Sequence, residues 1–160
     1  MEDIDNFFDL GQGPVPIFRL KEDCLEYIVT VYQDRTEVGV CCMKDNTDII
    51  SDAIIQSNIN IDGKEYPVKN ISMGAFRGCL NLKTVNIPEG IEKIYAGAFA
   101  DCIALEEVYI PDSLEYLGFG VFSGCTNLKK VSIPEDCEIN GEQFYGCNVN
   151  ELKIEKRPII

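Results

Sequence analysis

Residues 97–111, GAFADCIALEEVYIP, decide the fold, because close copies of this stretch lie on both sides of it. Residues 74–88 read GAFRGCLNLKTVNIP and residues 120–134 read GVFSGCTNLKKVSIP, so the step is 23 residues in each direction. A degenerate copy begins near residue 142, where one position is deleted. Self-similarity at a fixed period of about 20 to 50 residues is typical of a solenoid, whose coils bury their apolar faces by stacking on their neighbours.

Each copy contains a short strand with one outward side. In the first full copy, Val85 lies between Thr84 and Asn86, whose side chains point the other way because neighbours on a strand alternate. Stacked coils align these outward positions into an exposed strand face, which we predict to be the binding surface. The positions are Asp52, Ile54, Thr84, Asn86, Glu107, Tyr109, Lys130, Ser132, Glu151 and Lys153. Tyr109 is the expected anchor, since tyrosine is enriched among binding hot spots.

A phenylalanine and a cysteine recur at the same step, with the cysteine three residues after the phenylalanine. They are Phe76, Phe99, Phe122 and Phe144 with Cys79, Cys102, Cys125 and Cys147. The spacing predicts a buried structural ladder in which the cysteines are free thiols that pack as small hydrophobes. No CxxC pair and no histidine accompany them, so no metal site is predicted.

The flanks of the repeats have patterns of their own. Apolar and polar residues alternate in 25–32 and return in 37–43, which predicts a β-hairpin that caps the first coil. An Asp-Gly pair, Asp62-Gly63, predicts a second hairpin with a two-residue turn. The expected units are an acidic N-terminal segment (1–13), a capping hairpin (14–43), the repeats (44–154, starting near 74, 97, 120 and 142) and a C-terminal tail (155–160).

The composition argues against several classes of function. The chain has 160 residues, a formal net charge of −13 and no histidine. This charge makes nucleic acid and anionic membranes poor partners and a basic protein a better one. The lack of histidine removes the common nucleophile pairs and the usual proton shuttle. Adjacent carboxylates at 106–107 and 135–136 lie on opposite sides of a strand or in a turn, without a pocket between them. We predict a non-enzymatic chain with no cofactor and no membrane insertion.

The N-terminus bears on location. Acidic residues follow Met1 where a secretory signal would carry Lys or Arg, and the longest apolar run, residues 38–43, is far shorter than the roughly 20 residues of a membrane-spanning helix. The sequence as written predicts a cytoplasmic protein. A secreted or cell-surface location is the alternative if Met1 is not the native start.

The unit Gly-Ala-Phe-x-x-Cys-x-x-Leu-x-x-Val-x-Ile-Pro resembles the BspA-like class of leucine-rich repeats. Residues 54–68 resemble the lead-in that bacterial members place before their first full repeat, so the resemblance covers residues 44–154 and, more loosely, the hairpin. It implies a mostly β, right-handed solenoid of about four to five coils, each of about 23 residues, with short helical or 3-10 turns and the β-hairpin cap at its N-terminus.

Two functions follow from these observations. The resemblance implies a protein-binding module of a class that is commonly secreted or on the cell surface, used for adhesion or partner recognition through the exposed strand face. The acidic charge, the free thiols and the missing signal favour an alternative, an intracellular inhibitor or immunity-type protein that masks a basic toxin or enzyme.

Overall fold

The computed structural model describes the backbone of residues 15–22, 25–31, 36–42 and 47–159, and the side chains of 25–30, 36–42 and 47–159. The expected acidic segment 1–13 lies outside the described residues. Strands dominate the described chain, with one short 3-10 helix, Glu142–Phe144, near its end. The strands are β1 (Val15–Glu22), β2 (Leu25–Val31), β3 (Thr36–Cys42), β4 (Asp52–Ile54), β5 (Asn58–Ile61), β6 (Lys64–Ile71), β7 (Thr84–Asn86), β8 (Lys93–Ile94), β9 (Glu107–Tyr109), β10 (Tyr116–Leu117), β11 (Lys130–Pro134) and β12 (Lys153–Arg157).

Parallel strands from successive coils line one side of the molecule. β4 pairs with β7, β7 packs beside β9, and β9 pairs with β11, which pairs in turn with β12. Val108 and Val131 align in register and are buried, whereas the residues on either side of each point outward. We call the outward side of these five strands the first face. The strands themselves form two hydrogen-bonded sets, β4 with β7 and β9 with β11 and β12, which we call together the first sheet.

The second sheet lies on the opposite side of the core. β6, β8 and β10 pair in parallel, with Ile71, Ile94 and Leu117 aligned and buried. The antiparallel strands β1, β2 and β3 extend this sheet, since β3 pairs in parallel with β6. The N-terminal strands therefore continue the second sheet. The sequence does not predict β1, whose Pro16 is compatible with an edge position because proline has no N–H to donate to a ladder.

The hairpin of β5 and β6 has the predicted two-residue turn. Asp62 and Gly63 have φ values of 51° and 82°, and a type I′ turn requires positive φ at both central residues. The amide of Gly63 donates to Asn60 Oδ1 at 3.0 Å, which closes the turn. The hairpin is anchored by Ile59, which is buried in the core.

The turns between the two sheets stack the repeated aromatic rings and thiols. The four phenylalanine rings lie within 11° of parallel, with centroids 5.1–5.7 Å apart. The thiols of Cys102, Cys125 and Cys147 each donate to the carbonyl of the phenylalanine in the preceding coil, at 3.1 Å. The cysteines among the described residues are free thiols. Successive coils are thus joined by strand pairing and by this ladder of rings and thiols.

Candidate binding surface on the first face

The N-terminal end of the first face is formed by β4 and β7. Thr84 Oγ1 donates to Asp52 Oδ1 at 2.5 Å, and Ser51 Oγ donates to Asp52 Oδ2 at 2.6 Å. These two hydroxyl bonds, first that of Ser51, hold the pKa of Asp52 below its usual range. Ile54 and Asn86 lie side by side in register, and both are exposed. A carboxylate and an isoleucine that is 66% exposed therefore lie together on one open surface.

Charged side chains form a row across the middle of the first face. Glu107, Lys130 and Lys153 align in register on β9, β11 and β12. Lys130 Nζ lies 3.0 Å from a carboxylate oxygen of Glu155, one coil further on. This hydrogen bond, together with the negative charge of Glu155, raises the pKa of Lys130. The row is therefore a solvated set of both signs, with its two exposed ends, Glu107 and Lys153, open to a partner.

Tyr109 is 51% exposed, and the guanidinium of Arg157 stacks on its ring. The Arg157 Cζ atom lies 3.7 Å from the ring centroid, which is the geometry of a cation–π contact. Arg157 also donates to Ser132 Oγ at 3.0 Å, to the carbonyl of Ile110 at 2.8 Å and to Asp112 Oδ1 at 2.6 Å. The last residue of β12 thus reaches back over β11 to β9 and fixes the ring of the expected anchor.

Two of the ten predicted surface residues are not exposed on a strand of the first face. Ser132 is only 8% exposed, because Arg157 bonds to its hydroxyl and covers it. Glu151 lies in a turn closed by its own amide, which donates to the carbonyl of Asn148, and not on a strand. The outward residues of β12 are instead Lys153 and Glu155, which align with Lys130 and Ser132. The other eight lie on β4, β7, β9, β11 and β12.

Arg157 is the residue that sequence reasoning missed, since residues 155–160 are expected to be a tail. Five positions separate Cys125 from Lys130, whereas six separate Cys147 from Lys153, so the repeat step does not give the register of β12. The available signal is the alternation of Lys153, Ile154 and Glu155, which is typical of a strand.

The stacked thiols of Cys102, Cys125 and Cys147 are weakly acidic because they are buried. Burial raises the pKa of Cys102 to about 12, and it raises the pKa of Cys125, Cys137 and Cys147 as well. A thiol that stays protonated at neutral pH is a poor nucleophile and a poor metal ligand. Within the part of the chain that the structure describes, no three Cys, Asp or Glu side chains are grouped as metal ligands.

The stacked parallel strands, the repeated ring and thiol ladder and the open polar face define a leucine-rich repeat protein. Residues 47–159 match the BspA type leucine rich repeat region, with six copies, and the chain belongs to this family. Proteins of the leucine-rich repeat class are generally protein-interaction modules and are typically non-enzymatic. BspA-like members are often secreted or on the cell surface.

Two solved structures with TM-scores of 0.50 and 0.52 show the same fold at low sequence identity. The chain is similar to a leucine-rich repeat protein from Bacteroides capillosus, with 17% identity, a TM-score of 0.50, and coverage of 87% of this chain and 98% of the other. It is similar to the pneumococcal vaccine antigen PcpA, with 18% identity, a TM-score of 0.52, and coverage of 88% and 50%. A leucine-rich repeat protein from Bacteroides ovatus matches with 18% identity, a TM-score of 0.38, and coverage of 87% and 53%. The chain thus spans about half the length of the last two proteins.

No curated protein matches the chain. None of the described residues belongs to a helix with the length and hydropathy needed to cross a bilayer.

Proposed function

We propose that the chain recognises a partner protein through the first face, in an adhesion or partner-recognition role. The observation that carries the proposal is the placing of Ile54 and Tyr109, two well-exposed large side chains, on the same polar sheet surface. Between them in the stack lies Asn86, on β7. Apolar or aromatic anchors surrounded by polar groups are the usual composition of a binding hot spot.

The contact between Tyr109 and Arg157 strengthens this proposal. Tyrosine and arginine are among the residues most enriched in hot spots. The guanidinium is held by Ser132, Asp112 and the Ile110 carbonyl, so both side chains are ordered before a partner arrives. Ordering in advance lowers the entropic cost of association, which is about 0.5–1.5 kcal/mol for each side chain that must be immobilised.

Charge supports a basic partner. The chain has a formal net charge of −13, and the carboxylates of Asp52 and Glu107 lie exposed on the first face. Complementary charge increases the rate of encounter more than it increases final affinity. The alternative of an immunity-type inhibitor gains no support from the matched proteins. The cytoplasmic location stays a prediction, whereas a secreted or surface location agrees with where BspA-like proteins are often found.

Site-specific photo-crosslinking tests the face directly. A photoreactive amino acid replaces Asn86 on the first face or, as the matched control, Arg77, which is exposed in a turn between the sheets. The captured protein is identified by mass spectrometry, purified and titrated against the Tyr109→Ala variant. We expect capture from position 86 but not 77, and a loss of affinity on Tyr109→Ala of about 2 kcal/mol, or about 30-fold. Capture from position 77 alone, or unchanged affinity of Tyr109→Ala, would contradict the proposal.

A further inference from the structure

The second sheet ends at β10 with backbone acceptors that no described residue uses. In the coil before, the carbonyl of Glu92 accepts from the amides of Glu115 and Tyr116, and the carbonyl of Ile94 accepts from Gly118. The corresponding carbonyls of β10, those of Glu115 and Leu117, accept no hydrogen bond from any described part of the chain. β10 is therefore an open strand edge.

The last coil does not pair with this edge, because the backbone amide of Asn140 is hydrogen-bonded to the side chain of Gln143 in the same coil. Asn140 N donates to Gln143 Oε1 at 3.2 Å, and Glu142 N donates to Asn140 Oδ1 at 3.1 Å. The position deleted before Phe144 shortens the path back to the ring ladder, so the segment closes on itself. No strand forms in the described residues between β11 and β12.

A groove of about 1030 Å³ separates β10 from this segment, and we call it the end groove. Its walls include Tyr116 and Leu117 on one side and Cys137 and Ile139 on the other. Tyr116 is half-exposed and Ile139 is partly buried against the core. Leu114, Leu117 and Cys137 add buried apolar surface, and the remaining lining residues are polar or charged. The end groove combines an open backbone edge with apolar side chains at its walls, which are the two features of a strand-addition site.

The charged side chains that line the end groove determine which kind of segment can bind there. The exposed carboxylates of Glu115, Asp136 and Glu138 line it, and none has an ion-pair partner among the described residues. Asp112 is already paired with Arg157. Lys156 is the one lysine in the lining, and its Nζ donates to the carbonyl of Glu135. A basic segment is favoured, whereas the N-terminal segment 1–13 of this chain, with four carboxylates and no Lys or Arg, has the wrong sign.

We propose that the end groove binds an extended, basic segment of a partner protein, which adds to β10 as a further strand. Amides of that segment donate to the carbonyls of Glu115 and Leu117. On a strand, alternate side chains point to opposite sides, so apolar residues of the segment contact Tyr116 and Ile139 while lysines or arginines face Glu115 and Glu138. This surface is separate from the first face and does not depend on the function proposed for that face.

The test uses fluorescein-labelled octapeptides of defined pattern and fluorescence anisotropy at low ionic strength. An alternating Lys-Val peptide is the probe, an alternating Glu-Val peptide is the charge control, and a Lys-Val peptide methylated on alternate amide nitrogens is the pairing control. We expect the first to bind, the second not to bind, and the third to bind about tenfold more weakly, because it has lost the amide donors. Failure of the Lys-Val peptide to bind, or equal binding of the methylated peptide, would overturn the proposal.

Two charge-matched variants distinguish binding at the end groove from long-range attraction by the net charge of the protein. Glu115→Lys with Glu138→Lys changes the groove, and Glu65→Lys with Glu151→Lys changes the net charge by the same amount elsewhere on exposed positions. All four positions are exposed, and circular dichroism melts of both variants verify folding. We expect the groove variant to weaken the Lys-Val peptide by about tenfold or more and the control to change it by about twofold or less. Equal weakening by the two variants would show a long-range charge effect only, and would overturn the site.

Discussion

The central coils and the last coil are built from the same repeat, but they close differently. In the central coils, strands lie on both sides of the core, since β7 packs beside β9 in the first sheet and β8 pairs with β10 in the second. In the last coil, β12 continues the first sheet, while no strand of the described residues continues the second. One deleted position before Phe144 accompanies the difference. A solenoid can thus lose one sheet at its end while it keeps the other, provided that the ring ladder still closes.

The largest expected effect concerns the ladder. Phe99 is fully buried with a ring stacked on each side, whereas Phe144 stacks on Phe122 alone. Phe99→Ala should lower the free energy of unfolding by about 3–5 kcal/mol through lost transfer energy and the cavity left behind. Phe144→Ala should lower it by about 2 kcal/mol, since the end of the ladder can collapse more easily. Urea unfolding measures both, and a larger loss for Phe144→Ala would reverse the comparison.

The central coils and the last coil also differ in how much space surrounds a glycine, as Gly118 and Gly141 show. A Cβ atom added at Gly118 would lie 2.6 Å from Ala96 N and 2.9 Å from the Tyr95 carbonyl carbon, which are backbone atoms of the neighbouring coil. At Gly141, in the last coil, nothing lies within 4 Å, but φ is +87°. Gly118→Ala should destabilise by about 1–3 kcal/mol, because backbone must move.

Gly141→Ala serves as the companion variant, with an expected cost of about 1 kcal/mol from its left-handed backbone alone. Thermal and urea unfolding measure the loss of unfolding free energy in each of the two variants. If Gly118→Ala proved neutral, the close approach of the two central coils would be wrong.

The closure of the last coil on the first sheet depends on Arg157. Arg157→Ala removes one cation–π contact and three polar contacts, and should lower the free energy of unfolding by about 1–2 kcal/mol. Arg157→Lys should recover only part of this, because an ammonium cannot stack flat and bond to three acceptors at once. A double-mutant cycle with Tyr109→Phe, which keeps the ring, should show little coupling, whereas one with Tyr109→Ala should show about 0.5–1 kcal/mol. Strong coupling in the Phe cycle would place the interaction at the hydroxyl and contradict the stacked geometry.

The last expected effect is absent at neutral pH and appears only at alkaline pH, where the buried thiols contribute a pH dependence. The folded pKa of Cys102 is about 12, against an ordinary value of 9.0. The unfolded chain therefore loses this proton at lower pH than the folded chain, so the contribution is fully present below about pH 9 and is lost as pH rises toward about 12. Urea unfolding at successive alkaline pH values should show a steeper decline for the parent chain than for Cys102→Ala. Identical slopes would mean that this thiol is hydrated in the folded state.

Much of the central region can be predicted from the sequence, because each coil repeats the same local requirements. The alternation around Val85 and Val108 gives strands β7 and β9, and the Asp62-Gly63 pair gives its turn from backbone chemistry alone. The ends are different. The register of β12 and the burial of Ser132 arise from contacts with the neighbouring coil, and the position of Arg157 also depends on Ile110 and Asp112, two coils away. The step of 23 residues no longer applies there. The open edge of β10 is likewise hard to predict from the sequence, because it exists only since no described strand pairs with that edge.

Both proposals depend on the claim that the first sheet runs through the last coil and the second sheet stops before it. Amide hydrogen exchange, resolved by residue, measures this directly. The amides of Lys153, Glu155 and Arg157 should exchange slowly, since Lys153 N donates to the carbonyl of Lys129 and alternate amides of a strand point to the same neighbouring strand. The amides of Glu138 and Ile139 should exchange quickly, while those of Tyr116 and Gly118, which donate to the carbonyls of Glu92 and Ile94, should be protected. Protection of Glu138 and Ile139 equal to that of Tyr116 and Gly118 would show a second sheet that continues through the last coil, and would contradict the account.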